Sequence, residues 1–310
     1  MSPSVPNDRL PSFDLLSHAW LHDGIAHPKT TVVLNQRGIR QVGQATERSV
    51  NDLVSLGLSF SSAARLHEMI RKLLALPPGR LRQIGFMDNA DRYQLPRLPA
   101  EAIISLCYAA SVDDEIEALV WDQNPRNSEA VLARWGYRHD GPMTLEAVGA
   151  AFGVTRERAR QVVQRQEEDL IRSRVTLPFA SGLIHDLEEA GGALPDDNFR
   201  TLLRYGLIEV SPQALTLLPE LARLGCVPTV SYRADVDLWF TTTGATEWME
   251  SGKVDGIKEA ARQAARPTLR SLGAVSVLGI QDCSPFGLEH VLHLIRPANS
   301  ELVRVGHWAV

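Results

Sequence analysis

The chain has 310 residues, 44% of them hydrophobic, 22% charged and 6% aromatic, with a formal net charge of −5 at pH 7. This length and balance predict a soluble, globular protein of two or more domains. No apolar run reaches the ~18 to 20 residues that a membrane-spanning helix requires, and the acidic balance argues against indiscriminate nucleic-acid binding, so any DNA contact has to be local.

The opening segment, MSPSVPNDRLPSF, has no charged-then-apolar leader pattern, so a cytoplasmic location without a membrane partner is expected. From about Phe13 to Leu76 the chain reads as short amphipathic helices halted at LPPGR, which gives a first helical domain over 13–78. His18 and His22 stand there at helical spacing beside Asp23; with no third ligand in the pattern, no metal site is expected. A second helical domain is expected over 99–175, closing at TLPF. Its SVDDEIEA run, from Ser111 to Ala118, reads as a helix start and not as paired catalytic carboxylates. Beyond it the pattern passes twice from helices to an alternating segment with a tryptophan: VPTVSYRADVDLWFT, which holds Trp239, and SELVRVGHWAV, which holds Trp308. These read as a degenerate internal repeat, with domains over 177–243 and 246–310.

Cys107, Cys226 and Cys283 are odd in number and lack CxxC spacing, which suits buried small hydrophobes better than a disulfide framework or a zinc site. The histidines form no HExxH pair, and neither a phosphate-binding loop nor GxSxG occurs. No catalytic residue and no cofactor is therefore expected.

The stretch from Thr144 to Leu170, TLEAVGAAFGVTRERARQVVQRQEEDL, carries the most chemistry. Thr144 can cap a first helix, Glu146 suits its positive end, and Leu145, Val148 and Phe152 recur as a buried stripe. Gly149 allows close approach, Gly153 supplies a left-handed turn, Val154 is expected to plug the core, and Thr155 caps a second helix. The pattern is a helix-turn-helix. On the second helix Ala159, Val162, Val163 and Leu170 share one side at ~100° per residue, while Glu157, Arg160, Gln161, Gln164 and Arg165 occupy the other. Arginine can bond guanine edges or phosphate, glutamine suits adenine, glutamate accepts from cytosine, and the helix N-terminus favours phosphate.

The run RNSEAVLARWGYRHDGPMTLEAVGAAFGVTRERARQVVQRQEEDLI resembles the fourth conserved region of bacterial primary sigma factors, over roughly residues 115 to 175. Thr155, Arg156, Glu157, Arg158, Arg160 and Gln161 stand unchanged against that family's VTRERxRQ run, and Leu145, Val148, Gly149 and Phe152 match its preceding helix. The resemblance implies that Arg156, Glu157, Arg158, Arg160 and Gln161 contact a promoter element. Where that family has a basic helix end, this chain has Glu167, Glu168 and Asp169, a patch expected to repel phosphate. Upstream, TTVVLNQRGIRQVGQATERSVNDLVSLGLSFSSAARLHEMIRKLL is similar to the C-terminal domain of the RNA polymerase alpha subunit, a helix-hairpin-helix module. Leu34, Gly38, Ile39, Val42, Gly43 and Leu53 fit its packing pattern, but only Lys29 and Arg65 approach its basic positions, so the likeness supports the fold and leaves docking on a protein open.

Each copy of the C-terminal repeat resembles a winged helix. Neither SPQALTLLPELARL nor SPFGLEHVLHLI is basic, which favours interaction or homodimerisation through this half. Trp239 and Trp308 are expected at equivalent positions, each packed between its hairpin and a helix, with Leu238 and His307 facing outward. The fold expected is thus mainly α: a helix-hairpin-helix-like domain, a sigma-region-four-like bundle, and two small α+β winged-helix-like domains. The function expected is sequence-specific binding of double-stranded DNA in transcription initiation or its regulation, through Thr155, Arg156, Glu157, Arg158, Arg160, Gln161, Gln164 and Arg165. No segment resembles the promoter-melting region of a complete sigma factor, so the chain is expected to bias initiation by others. The alternative is an adaptor that docks on RNA polymerase core, or a DNA-reading accessory of a restriction, defence or mobile-element system.

Overall fold

A computed structural model describes residues 10–21, 25–89, 92–122, 124–137, 139, 141–205, 210–260, 263, 275–276, 284–286, 290–291, 304–305 and 308–309. The chain is mainly α-helical and divides into two compact units, one of residues 1–181 with 210–227 and one of 182–209 with 228–310.

In the first unit, α1 (Phe13–Leu16), α2 (Pro28–Gln36), α3 (Val42–Thr46), α4 (Val50–Ser55) and α5 (Phe60–Leu74) follow one another closely. Ser49 and Ser59 cap α4 and α5, each hydroxyl accepting at 3.2 Å, from Asp52 N and Ser62 N. Leu34, Ile39, Val42 and Leu53 are buried. Gly43 is needed for contact: a Cβ there would lie 2.9 Å from the Ser17 carbonyl oxygen, which accepts from Gly43 N at 2.8 Å. α5 ends at Leu74, just before LPPGR, as the prolines require, but a further short helix starts within that run. Pro77 caps, and Pro78 opens, α6 (Pro78–Gln83), where a missing N–H leaves no bond unmade. An antiparallel ribbon of β1 (Met87–Asn89) and β2 (Arg92–Gln94) follows, which the sequence pattern did not mark.

Next come α7 (Ala100–Tyr108), α8 (Val112–Leu119), α9 (Pro125–Trp135), α10 (Leu145–Phe152) and α11 (Arg156–Ser173). Then α12 (Pro178–Glu189) starts in the first unit, α13 (Asp196–Tyr205) belongs to the second, and α14 (Pro212–Arg223) counts with the first. Ser111 caps α8 by accepting from Asp114 N at 3.1 Å, so the SVDDEIEA run is a helix start. Two of its carboxylates also reach far along the chain. Asp113 accepts from the Tyr137 hydroxyl at 2.8 Å and from the N–H and hydroxyl of Ser211, the α14 cap, at 2.9 and 2.6 Å. Glu115 is fully buried and takes the N–H groups of Phe179 and Ala180, at 2.8 and 3.0 Å, in the first turn of α12. Burial pushes its carboxyl up to about 7, against the pull of those two backbone bonds and of Arg80.

The second unit contains an antiparallel sheet of β3 (Ala193–Pro195), β4 (Val230–Arg233) and β5 (Leu238–Thr241) in the order β3-β5-β4. Trp239 lies on the central strand opposite Leu194 and Tyr232. Its ring packs against Tyr232 of the hairpin and Phe199 of α13, at centroid distances of 5.0 and 5.5 Å, and its Nε1 donates to Asp196 at 2.8 Å. Leu238, in contrast, does not face outward. It is buried with Ala193, Val236, Phe240 and Val254, because the chain after β5 brings Trp248 and Met249 over that face, whereas simple alternation assumes a wet side.

A second antiparallel sheet, of β6 (Val275–Ser276), β7 (Arg304–Val305) and β8 (Trp308–Ala309), has the order β6-β8-β7. Trp308 lies on its central strand opposite Ser276 and Val305, so the two tryptophans hold corresponding backbone positions. His307 and the Trp308 ring lie outside the described residues, as do His22, Asp23 and Cys283. Among the described residues no helix is long and apolar enough to cross a membrane, and no group of three or more potential metal ligands occurs. Cys107 and Cys226 are buried, and burial pushes both thiols up to about 12.

Two outcomes follow for stability. Truncation of Trp239 to Ala removes a buried ring together with its bond to Asp196 and is expected to cost roughly 3 to 5 kcal/mol in urea unfolding. For Glu115, a folded pKa of about 7 stands above the ordinary 4.5, so the folded state holds the extra proton between those values. The stability it contributes is present below pH 4.5 and is lost as pH rises through about 7, with a slope of up to about 1.4 kcal/mol per pH unit. Unfolding free energies should show that slope in the parent and lose it in Glu115→Gln; parallel pH profiles would contradict it.

Candidate nucleic-acid interface

The helices α9, α10 and α11 pack around Ala130, Ala133, Val148 and Ala159, with Met143, Leu145 and Phe152 half-buried at the margin. These side chains are small, so the helices lie close. Asn124 caps α9 and Pro125 opens it, and Gly136 ends it at φ 86°. Arg134 donates to the Met143 carbonyl at 2.7 Å, which holds the connector to α10 in place. Thr144 caps α10 by accepting from Ala147 N at 3.2 Å.

Gly153 then turns the chain at φ 67°, and Thr155 caps α11 by accepting from Arg158 N at 3.1 Å. Gly149 sets how close the turn comes: a Cβ on it would lie 2.8 Å from the Val154 carbonyl oxygen and 3.3 Å from Arg156 N. The backbone of Val154 therefore fills the space that its side chain was expected to plug. That side chain is 40% exposed instead. Ala159, Val163 and Leu170 are buried and Val162 is half-buried, so the inner face of α11 lies on the side expected.

Thr155, Arg156, Glu157, Arg158, Arg160, Gln161, Gln164 and Arg165 are all exposed. Arg156 reaches back to Glu146 at 2.7 Å and so joins the first turns of α10 and α11. Glu157 accepts from Arg160 Nε and Nη2 at 2.9 and 2.7 Å and from Gln161 at 3.2 Å, which holds its carboxyl down at about 2. Arg160 donates to Gln164 at 2.6 Å, Gln164 to Glu168 at 2.9 Å, and Arg172 to Glu168 at 3.0 Å. Arg165 lies 3.7 Å from Asp169. The outer face is thus a ladder of neighbours three and four residues apart. Arg158 stands outside it, with no side-chain hydrogen bond or ion pair among the described residues.

The acidic residues after Arg165 do not form one outward patch. Glu167 points toward the body of the unit, accepting from Arg223 of α14 at 2.9 Å and from Trp135 Nε1 at 3.4 Å. Glu168 and Asp169 are balanced by Arg172 and Arg165 within the ladder. What stays outward over residues 156–165 is four arginines against one glutamate. Such a face can donate to guanine O6 and N7 or to phosphate, accept from cytosine N4, and pair with adenine through the glutamines. The ladder partners were legible as helical spacings. The ties of Glu167 to Arg223 and of Asp113 to Ser211 span 56 and 98 residues and have no local signal.

Comparison with protein-family models, with characterised proteins and with solved structures found no match.

The turn geometry is open to a direct check. Gly149→Ala forces a Cβ against backbone and is expected to cost about 1 to 3 kcal/mol, whereas Thr155→Ala removes one cap and is expected to cost about 1 kcal/mol. Both are read from urea midpoints at unchanged m-value. A neutral Gly149→Ala would mean that α10 and the turn are not in contact.

Proposed function

We propose that this chain is a sequence-specific binder of double-stranded DNA that acts in transcription initiation or its regulation, with α10 and α11 as a helix-turn-helix and α11 in the major groove. The observation that carries the proposal is the outer face of α11. Arg156, Glu157, Arg158, Arg160, Gln161, Gln164 and Arg165 stand exposed along one helix whose start is fixed by the Thr155 cap and the Gly149 approach. The VTRERARQ run on that helix, with its resemblance to sigma region four, supports the same reading.

Arg160 and Gln161 are the base readers in this proposal, Glu157 accepts from a cytosine amino group, and Arg156, Arg158 and Arg165 meet phosphates. The pairs that occupy Arg160 and Glu157 in the free protein are exposed and solvent-screened, so opening them is a small cost beside a bidentate base contact. The net charge of −5 fits a local contact through the arginines of the α11 face rather than a general nucleic-acid binder. We assign 13–78 to an alpha-C-terminal-domain-like module, and 177–243 and 246–310 to winged-helix-like modules for interaction or homodimerisation. On this reading the protein has no enzymatic activity of its own.

A second reading is favoured by the carboxylates interleaved on α11: the same helices dock on a protein, RNA polymerase core being the candidate. Salt separates the two. Binding of duplex DNA through several phosphates falls steeply with salt, and a largely apolar protein interface does not.

Arg160→Ala and Gln161→Ala should each weaken specific binding by roughly ten- to a hundredfold and relax preference at one base position, as read by selection from a random duplex library. A uniform loss across all sequences would remove base reading from their role. Absence of any duplex binding, with capture of purified polymerase core, would replace the first reading by the second.

A further inference from the structure

α11 is longer than its reading segment requires. Its 18 residues span about 27 Å at 1.5 Å per residue, of which the segment from Arg156 to Arg165 takes up only about 15 Å. Three separate stretches of the first unit converge at that end. The N–H of Arg97 donates to the Ser173 carbonyl at 3.2 Å, and Thr176 N donates to the Ile84 carbonyl at 3.1 Å. Gly85 sits so close that a Cβ on it would be 2.7 Å from the Arg174 carbonyl oxygen.

Each of the three stretches brings an exposed arginine: Arg82 from the last turn of α6, Arg97 from the segment before α7, and Arg174 just past α11. Arg174 is one of two non-glycine residues with positive φ among the described residues, at 56°. Neither Arg97 nor Arg174 has an ion pair or a side-chain hydrogen bond among the described residues, in contrast to Arg172, which is paired with Glu168 and Asp169. Arg80, close by in sequence, lies over the Phe179 ring at 5.4 Å. An acidic protein thus places two cations with no partner among the described residues, Arg97 and Arg174, beside the C-terminal end of α11 and beyond the balanced Glu168 and Asp169.

We infer that Arg97 and Arg174 form a second, phosphate-binding contact at the C-terminal end of α11, which grips the backbone of the same duplex beyond the bases that α11 reads. The inference rests on the reading of α11 as the DNA-recognition helix and adds the register: the duplex extends along α11 from its N-terminus to this end. Arg97 and Arg174 carry affinity and salt dependence, and no base information.

The test uses the full chain and a random-sequence duplex of roughly three helical turns, together with duplexes recovered by selection. For each protein, binding is followed by fluorescence anisotropy across a salt series. Loss of two phosphate contacts is expected to make the slope of log K against log salt shallower by about 1.8 in Arg97→Gln/Arg174→Gln, with the selected sequence unchanged. Arg97→Gln alone, which leaves the left-handed position intact, should give about half that change, and Arg97→Lys/Arg174→Lys should restore the parent slope. A parent that binds with a steep slope, and a double glutamine variant that shares that slope, overturns the second contact and leaves the reading helix standing. A parent that binds neither duplex overturns both.

Discussion

The direction of α11 rests on a contact in which Gly149 has no side chain. The Val154 carbonyl and the Arg156 N–H occupy the space that a Cβ would need, 2.8 and 3.3 Å away, so the turn is drawn onto α10. With the turn held there, Gly153 reverses the chain in a left-handed conformation and Thr155 begins α11 with its hydroxyl on Arg158 N. The same approach explains why the helices meet through Ala130, Ala133, Val148 and Ala159, and why Val154 faces solvent. The orientation of the charged face is thus a consequence of packing, and the polar ladder on it is free to rearrange.

Charge in this protein is sorted by place. The acids within α11 are held by particular partners: Glu157 by Arg160, Glu168 and Asp169 by Arg172 and Arg165, Glu167 by Arg223. Arg158, Arg97 and Arg174 have no such carboxylate. A long helix with paired charge in its middle and unpaired cations toward both ends suits a polyanion that follows its length. In the free protein the same ladder ties Arg160, Gln161 and Gln164 to carboxylates through exposed, solvent-screened bonds that cost little to open.

Much of the local structure was legible in the sequence because it is set by neighbours three or four residues apart. The helix start at SVDDEIEA, the caps Thr144 and Thr155, the left-handed Gly153, and the buried side of α11 all follow from such spacings. Where a single residue meets several segments, the pattern failed. Val154 was misplaced because spacing does not reveal how close two helices come, and Leu238 was misplaced because alternation takes one sheet face as wet, while Trp248 and Met249 cover it. The prolines of LPPGR follow the end of α5, as read, but they also open α6, which a stop signal does not reveal. The acidic run after Arg165 looked like one repulsive patch because its composition says nothing of Arg223, 56 residues on. Asp113 and Glu115, which tie α8 to α14 and to α12, read only as acids at the start of a helix.

The central claim, that α11 reads base edges in the major groove, is tested most directly by atomic substitution in the DNA. Once a preferred duplex has been selected with the full chain, 7-deazaguanine removes the guanine N7 acceptor from the major groove and leaves pairing intact, while inosine removes only the minor-groove amino group. With arginine on a guanine edge, 7-deazaguanine at one position should weaken binding by about 1 to 3 kcal/mol and inosine there should have little effect. Sensitivity to inosine alone, or to neither base, would contradict the account.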